Sequence, residues 1–218
     1  MWERQERLLR ERGFDVVAPD LPGFGTEPVP SEPFSFVERI AELLPAMLVG
    51  NSFGGRIALE TALGHPDGVP RLVLVDPALR DHDWSEDMVS YWTEEDALLE
   101  RGDVDGATEL TLSTFAEPHV HERLRPMQRR AYEVQLAAPE PEVRWPEPQP
   151  LESLRTPTLV VVGERDRPDF HAIARRIAAE APDTRLELVA SACHLPSLEA
   201  PEEFERLVLP FLAGHDDG

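Results

Sequence analysis

Residues 48–55 read LVGNSFGG, and within them Gly50, Ser52 and Gly54 complete the pattern G-x-S-x-G. A short apolar run of buried-strand type, Ala46 to Val49, precedes the pattern. Ser52 to Leu63, which follows, has a helical composition and ends before His65-Pro66. A serine at a sharp strand-to-helix turn has its hydroxyl pushed out of the sheet, and the crowded backbone is expected to leave room only for hydrogen at Gly50 and Gly54. The helix starting there directs N–H groups toward the reacting centre, so the Phe53 amide is placed to donate to a developing oxyanion. Ser52 is therefore the candidate nucleophile. The competing reading is a glycine-rich turn around a buried serine.

Working outward, Phe14 to Pro19 (FDVVAP), Arg71 to Val75 (RLVLV) and Thr158 to Val162 (TLVVV) are further apolar runs of strand length, and Arg185 to Val189 is read as another strand. Helical spacing appears at Phe36 to Leu44, Phe170 to Ala181 and Pro201 to Leu212. In the last of these Phe204, Leu207, Val208, Phe211 and Leu212 line one face. Strand and helix in alternation predict an α/β fold, a mostly parallel sheet flanked by helices. Between Leu79 and Pro150 the strand signal is replaced by helical stretches rich in Glu, Leu and Ala, with five prolines from Ala138 to Pro150 at the exit. The expected division is a core of residues 1–78 and 151–218 with a helical insertion at 79–150. The tight-turn chemistry of Asp20 to Gly25 (DLPGFG) closes the first strand-type run.

Serine is a poor nucleophile at neutral pH and requires a base, with a third group to orient that base. Of the seven histidines, His194 stands in a loop after one strand-type run and before the final helix. Loops at the carboxyl ends of parallel strands share one rim with the serine turn, where ligands bind in such sheets. His65 borders a helix end, His82, His119 and His121 fall in the insertion, His171 in a helix and His215 in the tail. The acid should come from another strand end on that rim. Asp166, in VGERD after Thr158 to Val162, is the first choice, and Asp76, after Arg71 to Val75, is the alternative; Asp169 reads as a helix cap.

A net charge of -21 repels phosphate backbones and anionic headgroups, so neither nucleic acid nor an acidic membrane is an expected partner. The single cysteine, Cys193, excludes an intramolecular disulfide, and no Cys/His spacing suggests a metal site. No window approaches the length of an apolar membrane span, and a charged stretch follows Met1 directly. A cytoplasmic protein acting on a small molecule, with no cofactor or metal, is the expectation; composition leaves the oligomeric state open.

From Gly13 to the last helix the chain resembles bacterial α/β-hydrolases of the esterase and lactonase type. FDVVAPDLPGFG is similar to the turn after the fourth strand, LVGNSFGG to the nucleophile elbow, VVGERD to the acid turn, and CHLPSLEAPEEF to the histidine turn and closing helix. The resemblance implies Ser52, Asp166 and His194 as a catalytic triad, the Phe53 amide as an oxyanion donor, and the insertion as a lid. It also implies an upstream strand and HG-containing loop, giving a second oxyanion amide, that this sequence does not show. An amino-terminally incomplete hydrolase is thus one expectation, which the upstream reading frame would test. Asn51 stands where the family more often carries histidine or another residue. The function expected is cleavage of a small ester or lactone through an acyl-serine. An impaired or non-catalytic ligand-binding relative and an acyltransferase are the alternatives, and Trp84, Tyr91, Trp92 and Trp145 line a pocket or fill lid core.

Overall fold

The computed structural model describes residues 1–138 and 142–214; Pro139 and Pro141 of the proline-rich exit and His215 lie outside the described residues. In chain order the elements are α1 (Glu3–Glu11), α2 (Phe36–Ala41), β1 (Leu48–Asn51), α3 (Phe53–Gly64), β2 (Leu72–Val75), α4 (Glu86–Glu100), α5 (Val104–Phe115), α6 (His121–Leu136), β3 (Thr158–Gly163), α7 (Pro168–Glu180), β4 (Thr184–Val189), α8 (Pro196–Glu199) and α9 (Pro201–Leu212). They fall into two compact units, one of Met1–Phe34 with Asp83–Arg144 and one of Ser35–His82 with Trp145–Gly218.

The second unit carries the sheet. Its strands run in the order β1-β2-β3-β4, every pair parallel. β2 and β3 are buried on both faces, so their sequences LVLV and TLVVVG run apolar without alternation. The register sets Asn51 opposite Val75 and Val75 opposite Val161. Residues 52, 76 and 164–166 therefore leave the sheet along one rim. Helix α3 packs on β1 and β2, while α7 and α9 pack on β3 and β4. The apolar stripe of α9 supplies Phe204, Val208, Phe211 and Leu212, all buried. The expected α/β class and parallel sheet are present.

Among its described residues the other unit carries α1, α4, α5 and α6. Leu98, Ala107 and Tyr132 form its core with Leu99, Val104 and Leu110 around them. Within it the hydroxyls of Tyr91 (2.5 Å), Thr111 (3.3 Å) and Tyr132 all reach one oxygen of Glu95. Burial, then the Glu95 carboxylate, raises both tyrosines above the ordinary phenol range, Tyr132 to about 12.

Phe14 to Pro19 is not a strand. An apolar run becomes a strand only where a neighbour takes up its N–H and C=O groups; here Val17 is 66 % exposed, and Val16 offers its carbonyl to the Arg10 guanidinium instead. This segment groups with the helices, not with the sheet. Glu3 pairs with Arg123, and the carbonyls of Gly25 and Gly23 accept from Arg130 and Gln135 of α6. The DLPGFG turn is tight: Gly23 and Gly25 have positive φ, and Asp20 accepts from the N–H and hydroxyl of Thr26.

Candidate active site

Ser52 sits between the last residue of β1 and the first of α3, with φ +53 and ψ -116. A non-glycine residue in that region is strained and persists only where its surroundings over-determine it. They do so here: the Ser52 N–H donates to the Val75 carbonyl (2.9 Å), and its own carbonyl accepts from Ala78 (3.1 Å) and Arg56 (3.1 Å). A Cβ on Gly50 would meet the Gly54 carbonyl oxygen at 2.3 Å, so hydrogen is required there. At Gly54 nothing lies within 4 Å, contrary to expectation; the tight position is Gly55, where a Cβ would come within 3.0 Å of Pro77. The strand end crosses over the first helical turn at Gly50, so it is the neighbouring loop that crowds Gly55.

Asp166 and His194 meet. His194 Nδ1 lies 2.7 Å from Asp166 Oδ2, with His194 6 % and Asp166 7 % exposed. The other Asp166 oxygen accepts from the Arg167 N–H at 2.7 Å. Burial alone would raise the Asp166 carboxyl, but the charge and hydrogen bond of His194, with the Arg167 N–H adding to them, outweigh it and hold the group below the usual carboxylate range. The ring of Phe170 lies against the imidazole with centroids 4.2 Å apart.

The loop carrying His194 is held by residues that sequence reasoning passed over. Glu199 Oε2 accepts from the N–H groups of Cys193 (2.6 Å) and Leu195 (3.3 Å), on either side of the histidine. Glu203 takes the Ala190 N–H and the Ser191 hydroxyl. Gly163 lets the loop close in, since a Cβ there would stand 1.7 Å from the Cys193 carbonyl oxygen. Asn51 links the serine turn to the histidine loop: its Nδ2 donates to the carbonyls of Val75 (3.0 Å) and His194 (3.1 Å). Asn51→Ala leaves two carbonyls without this donor, and kcat should fall about tenfold with KM little changed, a loss of roughly 1.4 kcal/mol. Steady-state kinetics on any turned-over ester checks this.

Phe53 opens α3, which puts its N–H at the positive end of the helix dipole next to Ser52. Its ring is edge-on to Phe36 (5.2 Å) and Trp145 (6.0 Å), and the Arg56 guanidinium lies 3.8 Å over Trp145. Trp145 thus belongs with the serine turn, whereas Trp84 pairs with Trp92 and Tyr91 with Phe115 in the helical unit. Asp169 is not a helix cap, because Arg167 holds that position; its carboxylate pairs with His82 Nε2 at 3.0 Å.

Asp76, the alternative acid, follows β2 with φ +41 and is fully buried. The bond to His194 Nδ1 belongs to Asp166, and Asp76 Oδ1 accepts from the Gly163 N–H at 3.0 Å. Asp76, Asp166 and His194 each offer one possible ligand atom, all within 4.8 Å of one another, and among the described residues they are the group that could grip a metal ion.

A parallel sheet with a strained serine on a strand-to-helix elbow, and a buried Asp–His pair on the same rim, defines the α/β-hydrolase architecture. The model of the alpha/beta hydrolase family matches residues 1–207, and the chain belongs to that family. It is 27 % identical to a 2-hydroxy-6-oxo-2,4-heptadienoate hydrolase of Pseudomonas putida, covering 92 % of this chain and 79 % of the relative. It is also 27 % identical to a pimeloyl-[acyl-carrier protein] methyl ester esterase of Nitrosospira multiformis, covering 97 % and 89 %. Among solved structures, a hydrolase from Pseudomonas aeruginosa superposes with a TM-score of 0.77 at 29 % identity, over 97 % of this chain and 84 % of that one. Among the described residues no helix is long and apolar enough to cross a membrane.

Proposed function

We propose that the chain is a serine hydrolase that cleaves a small ester or lactone through an acyl-serine intermediate. The observation that carries this reading is the buried 2.7 Å contact between His194 and Asp166 on the rim where Ser52 stands in a strained elbow. Asp166 fixes the tautomer with the proton on Nδ1, leaving Nε2 to take the Ser52 proton as Oγ attacks the carbonyl carbon. The Phe53 N–H steadies the oxyanion, the imidazolium returns the proton to the departing alkoxide, and water then repeats the sequence on the acyl-serine. The methyl ester named for the Nitrosospira relative supports a carboxylic ester as substrate. The aromatic cluster of Phe36, Phe53 and Trp145 beside the elbow favours an apolar group next to the scissile carbonyl.

The test is covalent capture with a fluorophosphonate, followed by peptide mapping. Modification of Ser52, with turnover of p-nitrophenyl butyrate or a small lactone, is the expected result. A folded protein that neither labels nor turns over would favour the non-catalytic relative, and ester formation from an added alcohol would favour acyl transfer. The helical insertion as a substrate-selecting lid is part of the same proposal, as is a cytoplasmic location.

A further inference from the structure

Asp76 has no task in the mechanism above, yet it is the most enclosed ionisable group of the site. Its exposure is 0 %, its N–H donates to the Val161 carbonyl at 2.8 Å, and its Oδ1 accepts from Gly163 at 3.0 Å. Among the described residues no donor addresses its other oxygen, Oδ2. What lies nearby is another carboxyl: ligand-type atoms of Asp76, Asp166 and His194 cluster within 4.8 Å.

Two ionised carboxylates enclosed together repel strongly, and a single proton between them removes the conflict. The question is which acid carries it. Asp166 has the better claim to the negative charge, since it receives the Arg167 N–H and the His194 imidazole. Asp76 has one neutral backbone donor. A proton on Asp76 Oδ2 turns an orphaned acceptor into a donor, and Asp166 is the acceptor beside it. The charged groups around Asp76 are Asp166 from the turn after β3, His194 from the turn after β4, and Glu199 from α8. Burial first, then the Asp166 charge, with Glu199 adding to it, holds Asp76 well above the ordinary carboxylate range.

Resting on the serine-hydrolase reading, we infer that Asp76 is a positioning residue: a neutral carboxylic acid whose O–H donates to the Asp166 carboxylate while its carbonyl oxygen accepts from the Gly163 N–H. The acid of the Asp–His pair is thereby gripped from a third strand end. The imidazolium formed during the reaction faces one negative charge rather than two.

The test compares Asp76→Asn and Asp76→Ala with the parent chain. Asparagine keeps both hydrogen bonds, tolerates the positive φ and cannot ionise. An unfolded aspartate titrates near pH 3.9. Between that pH and the raised folded value the native state holds Asp76's proton and the unfolded state does not, so Asp76 contributes a loss of stability to the parent chain as pH rises. Asp76→Asn should therefore melt within about 1 °C of the parent at pH 4 and about 3 °C or more above it at pH 7. In kcat/KM the acid limb of Asp76→Asn should stay within about 0.2 units of the parent. In Asp76→Ala, which leaves Asp166 more basic and the imidazolium favoured, it should move up by about 0.5 units or more with kcat down about tenfold. The inference is overturned if Asp76→Asn, compared with the parent, gains no stability or loses it between pH 4 and pH 7, or if its acid limb falls by about a unit, as removal of a negative charge beside the imidazolium would cause. A melting rise on adding one equivalent of Zn2+ that Asp76→Asn abolishes would also overturn it, assigning the three groups to a metal. If no substrate is turned over, the hydrolase reading fails while the melting comparison still decides the state of Asp76.

Discussion

Ser52→Ala should abolish fluorophosphonate labelling and lower kcat toward any ester substrate by about 10^5 to 10^6, because the covalent route is lost outright and the remaining groups act only as a unit. Asp166→Asn should cost about 10^4, less than loss of the nucleophile, since it leaves the serine and imidazole in place and disturbs only tautomer and orientation. KM should change little in both. The backbone adds an independent check. With φ at +53, Ser52 carries strain that glycine would not. Ser52→Gly should therefore be as inactive as Ser52→Ala yet raise the free energy of unfolding by about 1–3 kcal/mol, read as a higher urea midpoint. An active Ser52→Ala protein would remove the proposed nucleophile, and a destabilised Ser52→Gly protein would remove the claim that the elbow is held under strain for function.

Gly163→Val should be the most damaging single change to the site outside the reacting groups. The smallest side chain would already set a carbon 1.7 Å from the Cys193 carbonyl oxygen, a backbone atom that no rotamer change can move aside. Relief requires shifting the loop that carries His194, the next residue along, and the same shift pulls the Gly163 N–H away from Asp76. The overlap should cost about 3 kcal/mol or more, a large share of the roughly 5–15 kcal/mol that holds a domain folded. Thermal unfolding should move down by about 6 °C or more, and whatever protein folds should have lost most of its activity. Gly54→Ala is the control: open space surrounds that position and it is helical, so stability should hold or rise slightly. Equal damage from both substitutions would mean that the close approach at residue 163 does not govern the loop.

The elbow and the acid turn were legible because each pairs a short apolar run with a turn of fixed chemistry after it, and the histidine turn because it lies between a strand-length segment, TRLELV, and a strongly amphipathic closing helix. LVLV and TLVVVG leave no alternative face to choose. FDVVAP carries the same local signal and still forms no strand, because pairing depends on a neighbour that a one-dimensional pattern does not display. The grouping of residues 1–34 with the helices was hidden for a related reason: it rests on Glu3–Arg123 and on carbonyls taken by Arg130 and Gln135, contacts between distant parts of the chain. Asp166 was legible as the first choice of acid, but what sets Asp76 apart from it was not. The difference lies in which one receives an imidazole and a backbone N–H and which is left with one backbone N–H alone.

Since Met1–Phe34 packs with Asp83–Arg144, the chain passes from one body to the other three times. A simple excision of residues 83–144, the obvious route to a minimal catalytic core, would remove Arg123, Arg130 and Gln135 together. Some thirty leading residues would then be severed from their anchors, with Val17 already facing water. An engineer seeking a trimmed enzyme should therefore remove both segments or neither, and a half-trimmed chain should precipitate where the fully trimmed one has the better prospect of staying in solution.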